Sequence, residues 1–317
     1  MTLVLAAAVC LSTSHWQQLP PLPDKLGVAA PFAGVSDGAL IVAGGANFPN
    51  GFPWQGGKKV WHDTVYILTE PTGSWRVTGK LPRPLAYGVS ITTKDGLVCI
   101  GGSDANRHYS DVFLLNSKLE ATSLPSLPRP VANACGALVG DTLYVAGGEE
   151  TPGATNTLKT FFAFTKNRWQ ELPAWPGCGR SLAMAGALDG EFYLIGGVDL
   201  VAGKRRYLRD AYRYNPKSGW RRIPDLPHPM AAAPCIGGDR LLILGGDDGS
   251  RYGFQPVEKH PVFCAEILEF KRGEWKVAGK TPAPRATVPV VNWRGRIVMP
   301  SGELRPGVRS PEVWWVR

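Results

Sequence analysis

Short apolar runs, each closed by a glycine pair, recur along this chain: Leu40-Ile41-Val42-Ala43-Gly44-Gly45, Val98-Cys99-Ile100-Gly101-Gly102, Tyr144-Val145-Ala146-Gly147-Gly148, Tyr193-Leu194-Ile195-Gly196-Gly197 and Leu242-Ile243-Leu244-Gly245-Gly246. A sixth copy, Ile297-Val298-Met299-Pro300-Ser301-Gly302, is degenerate. Runs this short, bounded by turn residues, read as buried strands, and no window carries a helical stripe, so almost no helix is expected.

Each run opens a longer unit. After the glycines comes a variable loop, then a strand such as Thr64-Val65-Tyr66-Ile67-Leu68 or Ala211-Tyr212-Arg213-Tyr214. A turn leads to a strand holding Trp75, Trp169, Trp220 or Trp275, and then to a link such as Leu81-Pro82-Arg83-Pro84 or Leu226-Pro227-His228-Pro229. From one first glycine (or Ser301) to the next the spacings are 57, 46, 49, 49 and 56 residues. That is the kelch period, one four-stranded blade per repeat. The fold class expected is all-β, a six-bladed kelch-type β-propeller. The sixth unit stops at its third strand, Glu312-Val313-Trp314-Trp315-Val316, and the missing tryptophan strand stands at the other end, His15-Trp16-Gln17-Gln18-Leu19-Pro20. A ring hides its edges by pairing its two ends, so the last blade is expected to be closed by the N-terminal strand.

Composition agrees with many short strands and tight turns: 317 residues, 44% apolar, 38 Gly, 28 Pro and 11 Trp. The net charge of +9 is scattered, with no run beyond Lys204-Arg205-Arg206 or Arg221-Arg222. With no basic helix or nucleic-acid motif, this points away from nucleic acid and toward a small anion. The six cysteines, Cys10, Cys99, Cys135, Cys178, Cys235 and Cys264, have no C-x-x-C spacing and read as buried free thiols, with their pairing left open. Leu3 to Leu11 is an apolar run followed by small polar residues, resembling a secretory signal, although the first basic residue is Lys25. It is too short to span a bilayer. The expected organisation is a signal-like segment over 1–14 and one propeller over 15–317, periplasmic or secreted, with a cytoplasmic location and the oligomeric state left open.

Ligands of propellers meet the loops at one mouth of the channel. Two sets of residues point there. Asn47, Asp104, Glu149, Asp199, Asp247 and Glu303 follow the glycine pairs; Lys25, Arg83, Arg129, Arg180, His228 and Arg285 lead into the innermost strands, with Tyr87 and Asn133 four residues after Arg83 and Arg129. Mixed carboxylates and guanidiniums suit a charged small molecule such as a sugar acid. The same residue types also order turns, and the five histidines form no copper-binding constellation.

Three stretches resemble the bacterial N-acetylneuraminate epimerases: Gly27-Val28-Ala29-Ala30-Pro31-Phe32-Ala33-Gly34-Val35 through Gly44-Gly45-Ala46-Asn47-Phe48, then Arg83-Pro84-Leu85-Ala86-Tyr87-Gly88-Val89-Ser90, and Ser301-Gly302-Glu303-Leu304-Arg305-Pro306-Gly307-Val308-Arg309. The last is similar to that family's G-E-x-x-x-G-x-R element. Segments late in the familiar enzymes come first here, so the chain looks like a cyclically permuted branch. The resemblance implies a sialic acid mutarotase with Glu303 and Arg309 catalytic and needing neither metal nor cofactor, while Arg83, Tyr87 and Asn47, from their positions at the mouth, are expected to bind substrate, with turn ordering as the alternative. The fork of a guanidinium suits Arg309 to pair bidentately with the substrate carboxylate and hold the ring in place. The competing expectation is a non-catalytic kelch propeller that binds protein or glycan.

Overall fold

A computed structural model describes residues 16–118 and 120–317. The apolar N-terminal run, Cys10 and His15 lie outside the described residues.

Six four-stranded antiparallel sheets form the blades. From the channel outward, blade 1 is Phe32–Ser36, Ala39–Ala43, Thr64–Leu68 and Arg76–Lys80, and blades 2 to 5 repeat this order along the chain. Blade 6 takes Val291–Trp293, Arg296–Pro300 and Val313–Val316 from the C-terminal end, and its outer strand, Trp16–Leu19, from the beginning. Trp16 faces Val316 and Leu19 faces Val313 in that closing pair. Among the described residues helix is confined to the single turns Pro53–Gln55 and Val257–Lys259, and none is long and apolar enough to cross a membrane.

The core lies between the blades. Six clusters of buried side chains fill the six blade-to-blade interfaces: for example Phe32, Ile41 and Ile67 of blade 1 against Leu97, Cys99 and Phe113 of blade 2, and Val291, Trp293 and Val313 of blade 6 against Val42 and Tyr66. Each such large apolar side chain, removed from water, contributes about 2–3 kcal/mol. The repeated tryptophans have a second task. Nε1 of Trp75, Trp169, Trp220 and Trp275 donates to the carbonyl of Pro20, Pro125, Pro173 and Pro224, each on the link that enters the same blade, at 2.7–3.0 Å. The ring system packs while its one polar atom is satisfied.

The glycine pairs are required by close approach at one end of the channel. A Cβ on Gly44 would stand 2.3 Å from the carbonyl oxygen of Leu85 in the next blade. In the degenerate sixth copy Ser301 adopts the same left-handed conformation, φ 68°, and turns the contact to use. Its hydroxyl donates toward the carbonyls of Val28 and Ser310 at 3.0 and 2.8 Å and accepts from the Val28 amide at 2.8 Å.

Candidate active site

At the glycine end the channel is rimmed by backbone. Ala30, Tyr87, Asn133, Leu182, Ala232 and Thr287, one from each blade, have φ between 47° and 62°. The amide of each donates to the carbonyl of its counterpart in the preceding blade, at 2.6–3.1 Å, and Ala30 closes the circle on Thr287. Left-handed backbone disfavours residues such as Leu, Ala and Thr, by about 1 kcal/mol or more each, and the continuous hydrogen-bonded ring offsets that cost. With neighbours at roughly the spacing of paired strands, such a hexagon is about 10 Å across.

The residue before each ring member bridges to the residue after a glycine pair: Ala29 to Ala46, Ala86 to Ser103, Ala132 to Glu149, Ser181 to Val198, Ala231 to Asp247, and Ala286 to Glu303. The position after the glycines is therefore carried to the rim in every blade, and three of the six residues there are acids. Below the rim the channel encloses about 450 Å³, lined by small residues such as Gly88, Ala134 and Ala185 and by no charged side chain. The ionisable chemistry sits at the mouth.

Glu303 is the most elaborately held of these acids. A short hairpin, Glu303–Arg305 with Val308–Arg309, folds Arg309 back beside it. Arg309 Nη1 donates to Glu303 Oε1 at 2.7 Å, and the Gly307 amide donates to the same oxygen at 2.8 Å. Oε2 takes the hydroxyl of the ring residue Thr287 at 3.3 Å. The Glu303 side chain keeps 15% of its surface exposed and Arg309 only 4%. Arg309 is further enclosed by Nε donation to the Ala46 carbonyl, 3.3 Å, and by the Phe48 ring, 4.7 Å from its guanidinium. Two of the guanidinium nitrogens are thus engaged within the protein, Nη1 on Glu303 and Nε on the Ala46 carbonyl.

The other anticipated residues divide. Tyr87 is a ring member, and its aromatic face lies under the Lys59 ammonium at 5.1 Å. Asn47 is brought to the neighbourhood but turned inward. It is buried, its amide donates to the Gly27 carbonyl (2.9 Å) and Asp24, and its Oδ1 faces His62 Nε2 at 2.8 Å, so its polar atoms are engaged in local structure. Arg83 lies off the rim, paired with Asp111 at 2.7 Å and stacked on Tyr109 at 4.4 Å. Arg180 and Arg285, expected at the mouth, are fully buried. They pair with Asp210 and Glu312 at 2.8 and 2.7 Å and donate to the carbonyls of Gly196 and Ser301. Burial depresses the Arg285 pKa to about 10, opposed by the Glu312 carboxylate.

Two features of the mouth had no clear sequence signal. Blade 4 extends the strands Glu191–Val201 and Lys204–Asn215 into an arm beyond its glycine pair, tied to blade 3 by the Gly203 amide on the Thr155 carbonyl. Tyr207 on this arm donates to Asp247 at 2.6 Å; burial, then that bond, pushes its phenol pKa well up. For Arg205 burial opposes the charge, but Tyr207, Asp247 and Glu149 outweigh it and the net shift is upward. The second feature is Lys59, on the hairpin of blade 1.

The model of the N-acetylneuraminate epimerase family matches residues 5–122 and 124–253. The chain belongs to the N-acetylneuraminate epimerase family. Among curated relatives, the N-acetylneuraminate epimerase of Haemophilus influenzae (strain PittEE) is 28% identical over 61% of this chain and 58% of its own length. That of Yersinia enterocolitica is 42% identical over 29% of this chain and 26% of its own. The chain therefore matches well under two thirds of the length of these epimerases. The solved structure of YjhT superposes with a TM-score of 0.71 at 17% identity, covering 92% of this chain and 94% of that one, a likeness of fold. Glu303 and Arg309 lie beyond both stretches that the family model matches.

Proposed function

We propose that this epimerase-family propeller interconverts the α- and β-anomers of N-acetylneuraminate by acid–base opening and closing of the sugar ring. The observation that carries the reading is the Glu303 carboxylate, held by Arg309 and Gly307 on one oxygen and presented at the channel rim on the other.

In this mechanism Glu303 takes the proton of the anomeric hydroxyl at C2 as the C2–O6 bond breaks. The electron pair of the O–H bond forms the C2 carbonyl, and O6 leaves with a proton delivered from water at the open mouth. Rotation about C2–C3 presents the other carbonyl face. O6 then adds to C2 and loses its proton to water, while protonated Glu303 returns its proton to the new hydroxyl. One positioned acid–base group supplies about 10²–10⁴-fold, in keeping with a reaction that already proceeds slowly in water. Arg309 keeps the carboxylate oriented so that the reactive oxygen is pre-aimed.

Anomer exchange of N-acetylneuraminate followed by NMR tests this. Wild type is expected to accelerate exchange and Glu303→Gln to lose most of the acceleration; equal rates for wild type and buffer would end the proposal. Export to the periplasm or beyond rests on the apolar run in residues 1–14, and mass spectrometry of the N-terminus after expression in a bacterial host checks it.

A further inference from the structure

A sialic acid carries its carboxylate on C2, the carbon that opens, so whatever holds that carboxylate must stand within a few ångströms of the acid–base group. Arg309 is poorly placed to be that anchor, because its side chain is only 4% exposed and its Nη1 and Nε already donate to Glu303 and the Ala46 carbonyl. Resting on the epimerase reading, we infer that Lys59 is the carboxylate-binding residue and sets the preference for an acidic sugar.

Placement comes first. The strands Ala46–Asn47 and Val60–Trp61 pair with Ala46 opposite Trp61 and Asn47 opposite Val60. Side chains alternate along such a pair, so Asn47 points inward to Asp24 and His62, while the next residues, Phe48 and Lys59, share the other face with Ala46 and Trp61. Phe48 is the ring that backs Arg309. Lys59 therefore shares the face on which Phe48 meets Arg309, and its ammonium reaches across to blade 2, 5.1 Å from the centre of the Tyr87 ring on the rim and 5.5 Å from that of Trp61.

Charge comes second. Lys59 is exposed and has no carboxylate within ion-pairing distance among the described residues, whereas Glu303 and Arg309 neutralise each other. Beside that internally balanced pair, the Lys59 ammonium stands as a positive charge with no carboxylate partner among the described residues. Its aromatic platform holds the ammonium without neutralising it. Arg205, another cation near the rim, fits the task less well, since it already interacts with Asp247 and Glu149, which would repel a substrate carboxylate.

The test compares binding of N-acetylneuraminate and its methyl ester, which keeps the sugar and removes the charge, to wild type, Lys59→Met and Lys59→Arg by ligand-observed NMR. Loss of a charge-assisted contact corresponds to about 10–100-fold in affinity. Wild type is expected to favour the acid over the ester by that factor, Lys59→Met to lose the discrimination by weakening for the acid alone, and Lys59→Arg to retain most of it. If Lys59→Met binds the acid as wild type does, or still discriminates as strongly, the assignment of Lys59 is overturned while wild-type anomer exchange keeps the epimerase reading alive. Failure of wild type to bind the acid or to accelerate exchange would remove both. Because Lys59 is exposed, its substitution leaves the fold intact, which a thermal melt checks.

Discussion

Blades 3 and 6 face each other across the channel and place a glutamate at the same station. Glu149 bridges to Ala132 as Glu303 bridges to Ala286, and each is touched by the side chain of its own ring residue, Asn133 at 3.4 Å and Thr287 at 3.3 Å. There the likeness stops. Blade 6 inserts a hairpin that brings Arg309 and the Gly307 amide onto one carboxylate oxygen, while in blade 3 the segment after Glu149 runs off toward Thr151–Ala154, and among the described residues Glu149 gains no guanidinium within ion-pairing distance. The repeat fixes where an acid stands; the insertion after it decides whether that acid is pre-aimed. A scaffold built this way can acquire a reactive group by changing one loop, with no cost to the core between the blades.

The sharpest way to break this comparison is to neutralise each acid in turn. Glu303→Gln is expected to lower the anomer-exchange rate by about 10²–10⁴-fold and Glu149→Gln by less than about tenfold. Equal losses would mean that the station alone, not the hairpin, confers reactivity. Next is the positioning arginine. Arg309→Met is expected to lower kcat about 10–100-fold with a smaller change in KM, since misorienting a catalytic group costs rate more than binding. Arg309→Lys should recover part of the rate. A loss confined to KM would return Arg309 to the role of carboxylate anchor. Melting curves separate both outcomes from simple unfolding.

A third contrast concerns stability. Two residues before the ring, blade 6 has Arg285 where blade 3 has Val131; the same column reads Val28, Leu85, Arg180 and Met230 elsewhere. Arg285→Met would leave the buried Ser301 carbonyl without its side-chain donor and the Glu312 carboxylate with Trp314 Nε1 but no cation. Denaturant titration is expected to show a loss of about 2–4 kcal/mol, at the lower end because the Glu312 carboxylate is itself half exposed and can turn to water.

That column also marks the limit of reading the sequence. The blades, their strand order and the closure of Trp16–Leu19 on Val313–Val316 were legible because apolar runs, glycine pairs and tryptophans repeat with a period. The rim was not, because Ala30, Tyr87, Asn133, Leu182, Ala232 and Thr287 share no side-chain chemistry; the ring of backbone hydrogen bonds imposes their conformation. Arg180 and Arg285 looked like mouth residues because charge normally signals exposure. Aligned in their column with valine, leucine and methionine, they could have been recognised as buried. Glu303 beside Arg309 was legible only through resemblance, since six residues of separation do not by themselves imply a hairpin. Lys59 was hidden because its face depends on the register of a two-residue pair.

The smallest effect is expected at Arg83. Its position in the repeat, four residues before the ring, suggested the mouth, yet it packs on Tyr109 and pairs with Asp111 away from the rim. Both partners of the pair are more than a third exposed, 36% and 44% of their side-chain surface, so water screens the interaction and its net worth is about 0–1 kcal/mol. Arg83→Ala should therefore leave anomer exchange within about twofold of wild type, and adding Asp111→Ala should cost little more, as a double-mutant cycle with a small coupling energy would report. A rate loss at Arg83 comparable with that at Arg309 would mean that the catalytic surface extends outward along blade 2, and the division between a reactive blade 6 and supporting blades elsewhere would have to be redrawn.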